Sequence, residues 1–206
     1  MGNKQSHIYL ASQSPRRREL LKQIGIHFEM LLLRNDTRRK IDVDETPHPN
    51  ELPADYVQRI SQAKAAAGWE ATQFRNLRPY PVLAADTSVT LDNKIFGKPL
   101  DRQDAAATLR ALSGQQHQVL TSVSVAFGDR VESCLSTTTV TFVKLDEARI
   151  QHYLMTNEGH DKAGAYGIQG VAGAFVQRIE GSYSGVMGLP LCETVEILHN
   201  FGHVVP

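Results

Sequence analysis

Apolar and polar positions follow two periods along this chain, and each change of period marks an element. Residues 6–12 (SHIYLAS) form a short apolar run, read as a buried strand. Ser14 suits a helix N-cap and Pro15 its first position, and the helical pattern runs through Glu19 and Leu20 to a stop at Gly25. Residues 27–33 (HFEMLLL) read as a second strand. A basic loop follows at 34–40 (RNDTRRK), then an acidic, proline-rich loop from Ile41. Residues 52–68 place Val57, Ile60, Lys64 and Ala67 at helical spacing, which predicts a helix with those four on its inward stripe. The polar stretch 69–81, ending Arg-Pro-Tyr-Pro, is expected to be a connector and the best place for a lobe boundary.

Residues 82–91 (VLAADTSVTL) predict a buried strand that breaks at Asp86, and residues 93–96 pair back through the Asp92-Asn93 turn. A helix is expected over 101–112, with Ala105, Leu109 and Leu112 inward and Gly114 closing it. Two long β-rich runs, 116–127 and 131–143, flank Gly128-Asp129 as a hairpin. A helix at 146–155, a glycine-rich loop at 159–173, a strand at 174–179 and a helix at 190–201 complete the chain. This order predicts an α/β fold with a mixed sheet and flanking helices, in a single domain spanning residues 1–206.

Composition narrows the function. Apolar residues make up 41 % of the 206, enough for a real core. Lys+Arg and Asp+Glu both number 22, which speaks against a general nucleic-acid binder. Cys134 and Cys192 show no metal or redox spacing and are expected to be free thiols in a reducing cytoplasm. No apolar run approaches the ~18 residues of a membrane span, and SHIYLAS is too short for a signal peptide. MGNKQS fits a myristoylation pattern, which has meaning only in a cell with the transferase.

Several charges stand where the pattern asks for something else. Arg16, Arg17 and Arg18 open a helix, whose N-terminus already carries partial positive charge. Either this is a solvated basic helix start, or the N–H groups and the arginines near Ser12 hold an anion such as phosphate. Arg17 leans over the apolar stripe, and Arg18, about 100° away, is expected to be solvated. Lys64 sits on an inward stripe, so it either snorkels to the rim or faces a counter-charge or ligand. Asp86 interrupts an apolar strand. It could bind Mg²⁺, take a proton from water, or close an Asx turn. Lys98, twelve residues on, can return beside it through the hairpin, and Asp44 and Glu45 add acid nearby. In GAYGIQG (164–170) the glycines permit close approach, and Gln169 offers a donor and an acceptor. His117 reads as a polar strand position without a partner at metal-ligand spacing.

The segments LASQSPRRRELL, DETP with a downstream QAKA, AADTSV, FGKPLD, LSGQQHQVLT, DKAGAYGIQG and GSYSGVMGLPL occur in this order over nearly the whole chain. Together they closely resemble the Maf family of nucleoside triphosphate pyrophosphatases. The resemblance implies two lobes around a cleft, an architecture like that of inosine triphosphate pyrophosphatases, and a homodimer. It implies cleavage of a nucleoside triphosphate to monophosphate and pyrophosphate with Mg²⁺ or Mn²⁺, Asp86 acting as base. By the same resemblance Arg16, Arg17, Glu45, Lys64 and Lys98 line the site, and Arg16, Thr87 and Gln169 look like the dTTP/UTP branch. A branch acting on 7-methyl-GTP and a non-catalytic, nucleotide-binding regulator of cell division are the alternatives. On this expectation Ser12 and the four cations hold the phosphates, Glu45 holds the metal, and Thr87 and Gln169 contact the pyrimidine. RNDTRRKIDV is longer and more basic than the family's usual link and is expected to alter the cleft mouth. Ser88 stands where a β-branched apolar residue is common.

Overall fold

The computed structural model describes residues 7–34 and 42–203. The MGNKQS pattern and most of the basic stretch, residues 35–41, lie outside the described residues. Strand β1 (His7–Leu10) leads into helix α1 (Pro15–Gln23), which is capped by Ser14 and starts on Pro15 as expected. Strand β2 (His27–Met30) stops three residues short of the predicted Leu33. Helix α2 (Pro53–Phe74) is followed by strand β3 (Val82–Leu91), strand β4 (Lys94–Phe96) and helix α3 (Arg102–Leu112). Strands β5 (Gln116–Phe127) and β6 (Arg130–Phe142) form the expected long hairpin. Helix α4 (Glu147–Met155) precedes the glycine-rich segment, which folds as two 3₁₀ turns, Ala163–Ala165 and Val171–Phe175. Strand β7 (Val176–Glu180), the short helix α5 (Tyr183–Met187) and helix α6 (Leu191–Asn200) end the fold.

Among the described residues the strands make one sheet in the order β2-β1-β3-β5-β6-β7, with β4 on β3. The β2, β1 and β3 pairs are parallel and the remaining pairs antiparallel, so the sheet is mixed. Side chains alternate across a strand. Ile8, Leu10, Leu83 and Ala85 therefore face one way and share a core with α1 and α6. Tyr9, Val82 and Ala84 face the other way, where they meet Ala65 of α2. A separate core gathers around Val89, Phe142, Leu109 and Ile150, under α3 and α4. Each end of β3 thus belongs to a different core, and Asp86 lies between them.

Two expectations about α2 are corrected. The helix does not end at Gly68, and residues 69–74 are not a connector. Trp69 packs edge-on against Phe127, with ring centroids 5.1 Å apart, so the helix continues along the sheet, and the connector shortens to residues 75–81. Its buried stripe is Val57, Ile60, Ser61, Ala65, Gly68 and Thr72, with Lys64 and Ala67 at its margins. Ser61 is fully buried because its hydroxyl lies 2.7 Å from both Ser122 and Ser124 of β5. A polar residue satisfied in this way is invisible to hydrophobic periodicity.

Candidate active site

The site starts as a gap in the sheet. Strand β1 pairs with β3 only at Val82 and Leu83, and β4 pairs with it only from Val89 to Leu91. Between them, residues 84–88 keep β5 on one side and have no strand neighbour on the other among the described residues. A cleft of about 660 Å³ opens at this edge. Strand β3 is not broken at Asp86; its backbone ladder to β5 continues through Asp86↔Ser122. The carboxylate interrupts the apolar pattern without interrupting the strand, because the ladder is made by main-chain groups.

Asp86 and Ser88 share the face that carries Ala84, toward α2, and both line the cleft. Asp86 is 9 % exposed. Lys64 answers it from α2, with Nζ 2.8 Å from Asp86 Oδ1 and 2.9 Å from Glu45 Oε1. The lysine thus finds two counter-charges rather than snorkelling. Glu45 is held by its own loop. Tyr56 donates its hydroxyl to the Glu45 carbonyl at 3.0 Å, and Arg59 grips Glu51 with two nitrogens and donates to the Thr46 carbonyl. Arg59 holds the Glu51 carboxyl down at about 2. Burial, together with the Asp86 and Glu45 charges, pushes the Tyr56 phenol up to about 12.

Thr87 points to the opposite face, where the arginines of α1 arrive. Arg17 donates from Nε to the Gly188 carbonyl at 2.8 Å, from Nη1 to Ser12 Oγ at 3.2 Å and from Nη2 to Thr87 Oγ1 at 3.2 Å. Arg16 Nε donates to the Met187 carbonyl at 3.4 Å. Residues 187 and 188 close α5, and carbonyls at a helix C-terminus favour cations. Arg16 and Arg17 therefore offset their poor position on α1 against the end of a second helix. Burial pushes the Arg17 guanidinium below its ordinary value, and Asp86 pulls it back up. Ser12 Oγ accepts from Arg17 and from the Ser14 N–H, which leaves its own hydrogen to donate to an anion. Arg18 is not solvated as expected; it is half-buried, and its Nε has no partner among the described residues.

Ser12, Arg16, Arg17, Glu45, Lys64, Asp86, Thr87 and Lys98 all line the one cleft. Gln169 does not: it is exposed and stands outside the lining. His117 lies on strand β5 as expected, and it is buried there. It is 2 % exposed, its Nε2 meets the Tyr166 hydroxyl at 2.9 Å, and burial pushes its pKa down to about 4. Tyr56, Asp161, Lys162 and Tyr166 also line the cleft and were missed. Tyr56 had a readable signal, since it lies two helical turns before Lys64 on the same face. Lys162 bonds Asp161 at 2.7 Å, and nothing in a glycine-rich segment announces which way such a pair will face.

The cleft carries more positive than negative side chains in a chain of zero net charge. Among the described residues, Arg16, Arg17 and Lys98 have no carboxylate partner within ion-pair distance. Such a surface suits a polyanion. No cluster of three or more His, Cys, Asp or Glu side chains stands ready for a metal among the described residues. Asp86 and Glu45 do supply hard oxygen donors, which fit an ion such as Mg²⁺ that takes one or two carboxylates and completes its shell with water and phosphate.

These features define an α/β protein with a cation-rich, carboxylate-bearing cleft. A family model described as Maf-like protein matches residues 7–201. The chain belongs to the Maf family. It is 53 % identical over 200 residues to the dTTP/UTP pyrophosphatase of Aromatoleum aromaticum, covering 97 % of each chain. It is 55 % identical over 195 residues to the dTTP/UTP pyrophosphatase of Nitrosomonas europaea, covering 95 % of this chain and 94 % of that one. A solved structure, the Staphylococcus aureus Ham1 protein, is similar with a TM-score of 0.46 and 15 % identity, over 66 % of this chain and 72 % of that one.

Proposed function

We propose that the chain hydrolyses dTTP and UTP to the nucleoside monophosphate and pyrophosphate. The observation that carries this reading is Lys64 joining Asp86 to Glu45 at an open sheet edge, opposite Arg16, Arg17 and Lys98. The relatives named as dTTP/UTP pyrophosphatases support the substrate. On this reading Ser12, Arg16, Arg17 and Lys98 bind the phosphates, and Lys64 holds Asp86 in place until substrate arrives. Asp86 orients the attacking water and accepts its proton as the bond between the α and β phosphates breaks. Glu45, with Asp86, would hold Mg²⁺ or Mn²⁺, which supplies charge neutralisation on the leaving pyrophosphate. Residues 1–206 work as one domain, assembled as a homodimer in the cytoplasm where nucleotide pools lie. The two cysteines, both free, are in keeping with that compartment. In Asp86→Asn, dTTP turnover is expected to fall by about 10²–10⁴-fold while the protein stays folded by circular dichroism. A folded Asp86→Asn protein with the wild-type rate would refute the assignment.

A further inference from the structure

Five glycines fall between residues 159 and 173, and the segment they build has no strand or α-helix to hold it. A single carboxylate holds it instead. Glu158 Oε2 accepts from the Val171 N–H at 2.7 Å, and Oε1 accepts from the Ala172 N–H at 3.3 Å and from the Tyr153 hydroxyl at 3.1 Å. Val171 and Ala172 open the 3₁₀ turn Val171–Phe175, where Gly170 has no side chain to cap the first N–H groups. Glu158 supplies that cap from 13 residues upstream. Its carbonyl also accepts from Lys162 Nζ. The segment wraps so closely that a Cβ on Gly170 would collide with the Glu158 carboxylate, and one on Gly167 would lie 3.4 Å from its Oε1. Of the five glycines, Gly164 alone has a positive φ, so Gly167 and Gly170 serve close packing around Glu158 rather than an unusual turn.

The segment wound in this way brings Lys162, Tyr166 and Gly167 into the cleft lining. Lys162 is occupied by Asp161 and by the Glu158 carbonyl, and Tyr166 turns its hydroxyl to His117. This wall therefore lacks the unpaired cations that Arg16, Arg17 and Lys98 give the rest of the cleft. It offers an aromatic ring and, at Gly167, bare backbone, which suit an uncharged planar group better than a phosphate. Gln169, the donor and acceptor that the sequence singles out, rides on the same segment between the two glycines that flank the carboxylate.

We propose that Glu158 is a positioning residue that fixes this wall of the cleft for the nucleoside, acting through residues 162–170 and touching no substrate itself. This rests on the nucleotide reading given above.

The test compares wild type, Glu158→Ala, Glu158→Gln, Gly170→Ala and the double variant Glu158→Ala/Gly170→Ala. Calorimetry measures binding of inorganic pyrophosphate and of thymidine monophosphate, and kinetics give KM and kcat for dTTP. Glu158→Ala is expected to weaken thymidine monophosphate binding and raise KM for dTTP by about tenfold, the scale of a lost hydrogen bond to a charged group. Pyrophosphate affinity stays at the wild-type value. Glu158→Gln, which keeps one acceptor oxygen, recovers part of the loss. Gly170→Ala drives a methyl group into the carboxylate and gives the same split, and the double variant is no worse than Glu158→Ala, because the group that the methyl displaces is gone. The proposal is overturned if Glu158→Ala lowers the melting temperature while thymidine monophosphate binding and KM stay unchanged. It is equally overturned if pyrophosphate binding falls as far as nucleotide binding, or if the two alanine losses add in full. Should Glu158→Ala fail to fold, Glu158→Gln and Gly170→Ala decide by the same split. A wild-type protein that binds both ligands but cleaves neither dTTP nor UTP would sink the proposed function alone, because the binding split still decides the role of Glu158. A wild-type protein that binds no thymidine monophosphate would overturn the proposal as well.

Discussion

At Lys64 the cost of burial and the needs of chemistry meet in one side chain. Its side chain is 16 % exposed and that of Asp86 12 %, so each depends on the other for compensation. Lys64→Met leaves a nearly buried carboxylate without its partner. The expected loss is about 3–5 kcal/mol in urea unfolding at neutral pH, partly recovered by adding Asp86→Leu. Removing the half-exposed Glu45 carboxylate instead is expected to change stability by less than about 1 kcal/mol. Lys64 and Asp86 were legible in the sequence for one reason: each puts a charge where the pattern calls for an apolar residue. Arg18 and Gln169 were misplaced because helical angle and glycine content do not say what packs alongside. The strand position of His117 was readable, but its burial was not, because its partner, Tyr166, is 49 residues away.

Helix α2 shows the same limit at the scale of an element. Gly68 reads as a stop, but a Cβ there would lie 2.6 Å from Val82 Cγ1. The glycine lets the helix approach β3. Gly68→Ala, which on helix propensity alone would stabilise by about 1 kcal/mol, is therefore expected to lower the melting temperature, and a rise would contradict the close packing. Strand β5 carries a second prediction through His117. Its folded pKa is pushed down to about 4 from the ordinary 6.5. Between those values the unfolded chain binds more protons than the folded one, so stability rises with pH across that window. Thermal unfolding from pH 4 to 7 should show this slope, and a His117→Gln variant should flatten it. Elements set by strong periodicity, such as α3 and the β5–β6 hairpin, were readable in advance. Helix α5 was not, since five residues containing a glycine give no helical period.

Over the whole molecule, the mixed α/β sheet was legible because strands and helices alternate and one long hairpin stands out. The cleft was not, because it is a gap in β3's pairing between β1 and β4, and pairing partners cannot be read from either strand alone. That gap divides the cores of the molecule and leaves Asp86 at their junction, with cations arriving from α1, α2 and the segment after β4. The arrangement suits a triphosphate whose bond is cleaved over a carboxylate. Its most direct test is to incubate the protein with Mg²⁺ or Mn²⁺ and a panel of normal and modified nucleoside triphosphates, reading pyrophosphate and orthophosphate separately. The account predicts monophosphate and pyrophosphate from dTTP and UTP, with little from purines. Pyrophosphate from 7-methyl-GTP instead, or tight nucleotide binding without turnover, would contradict it.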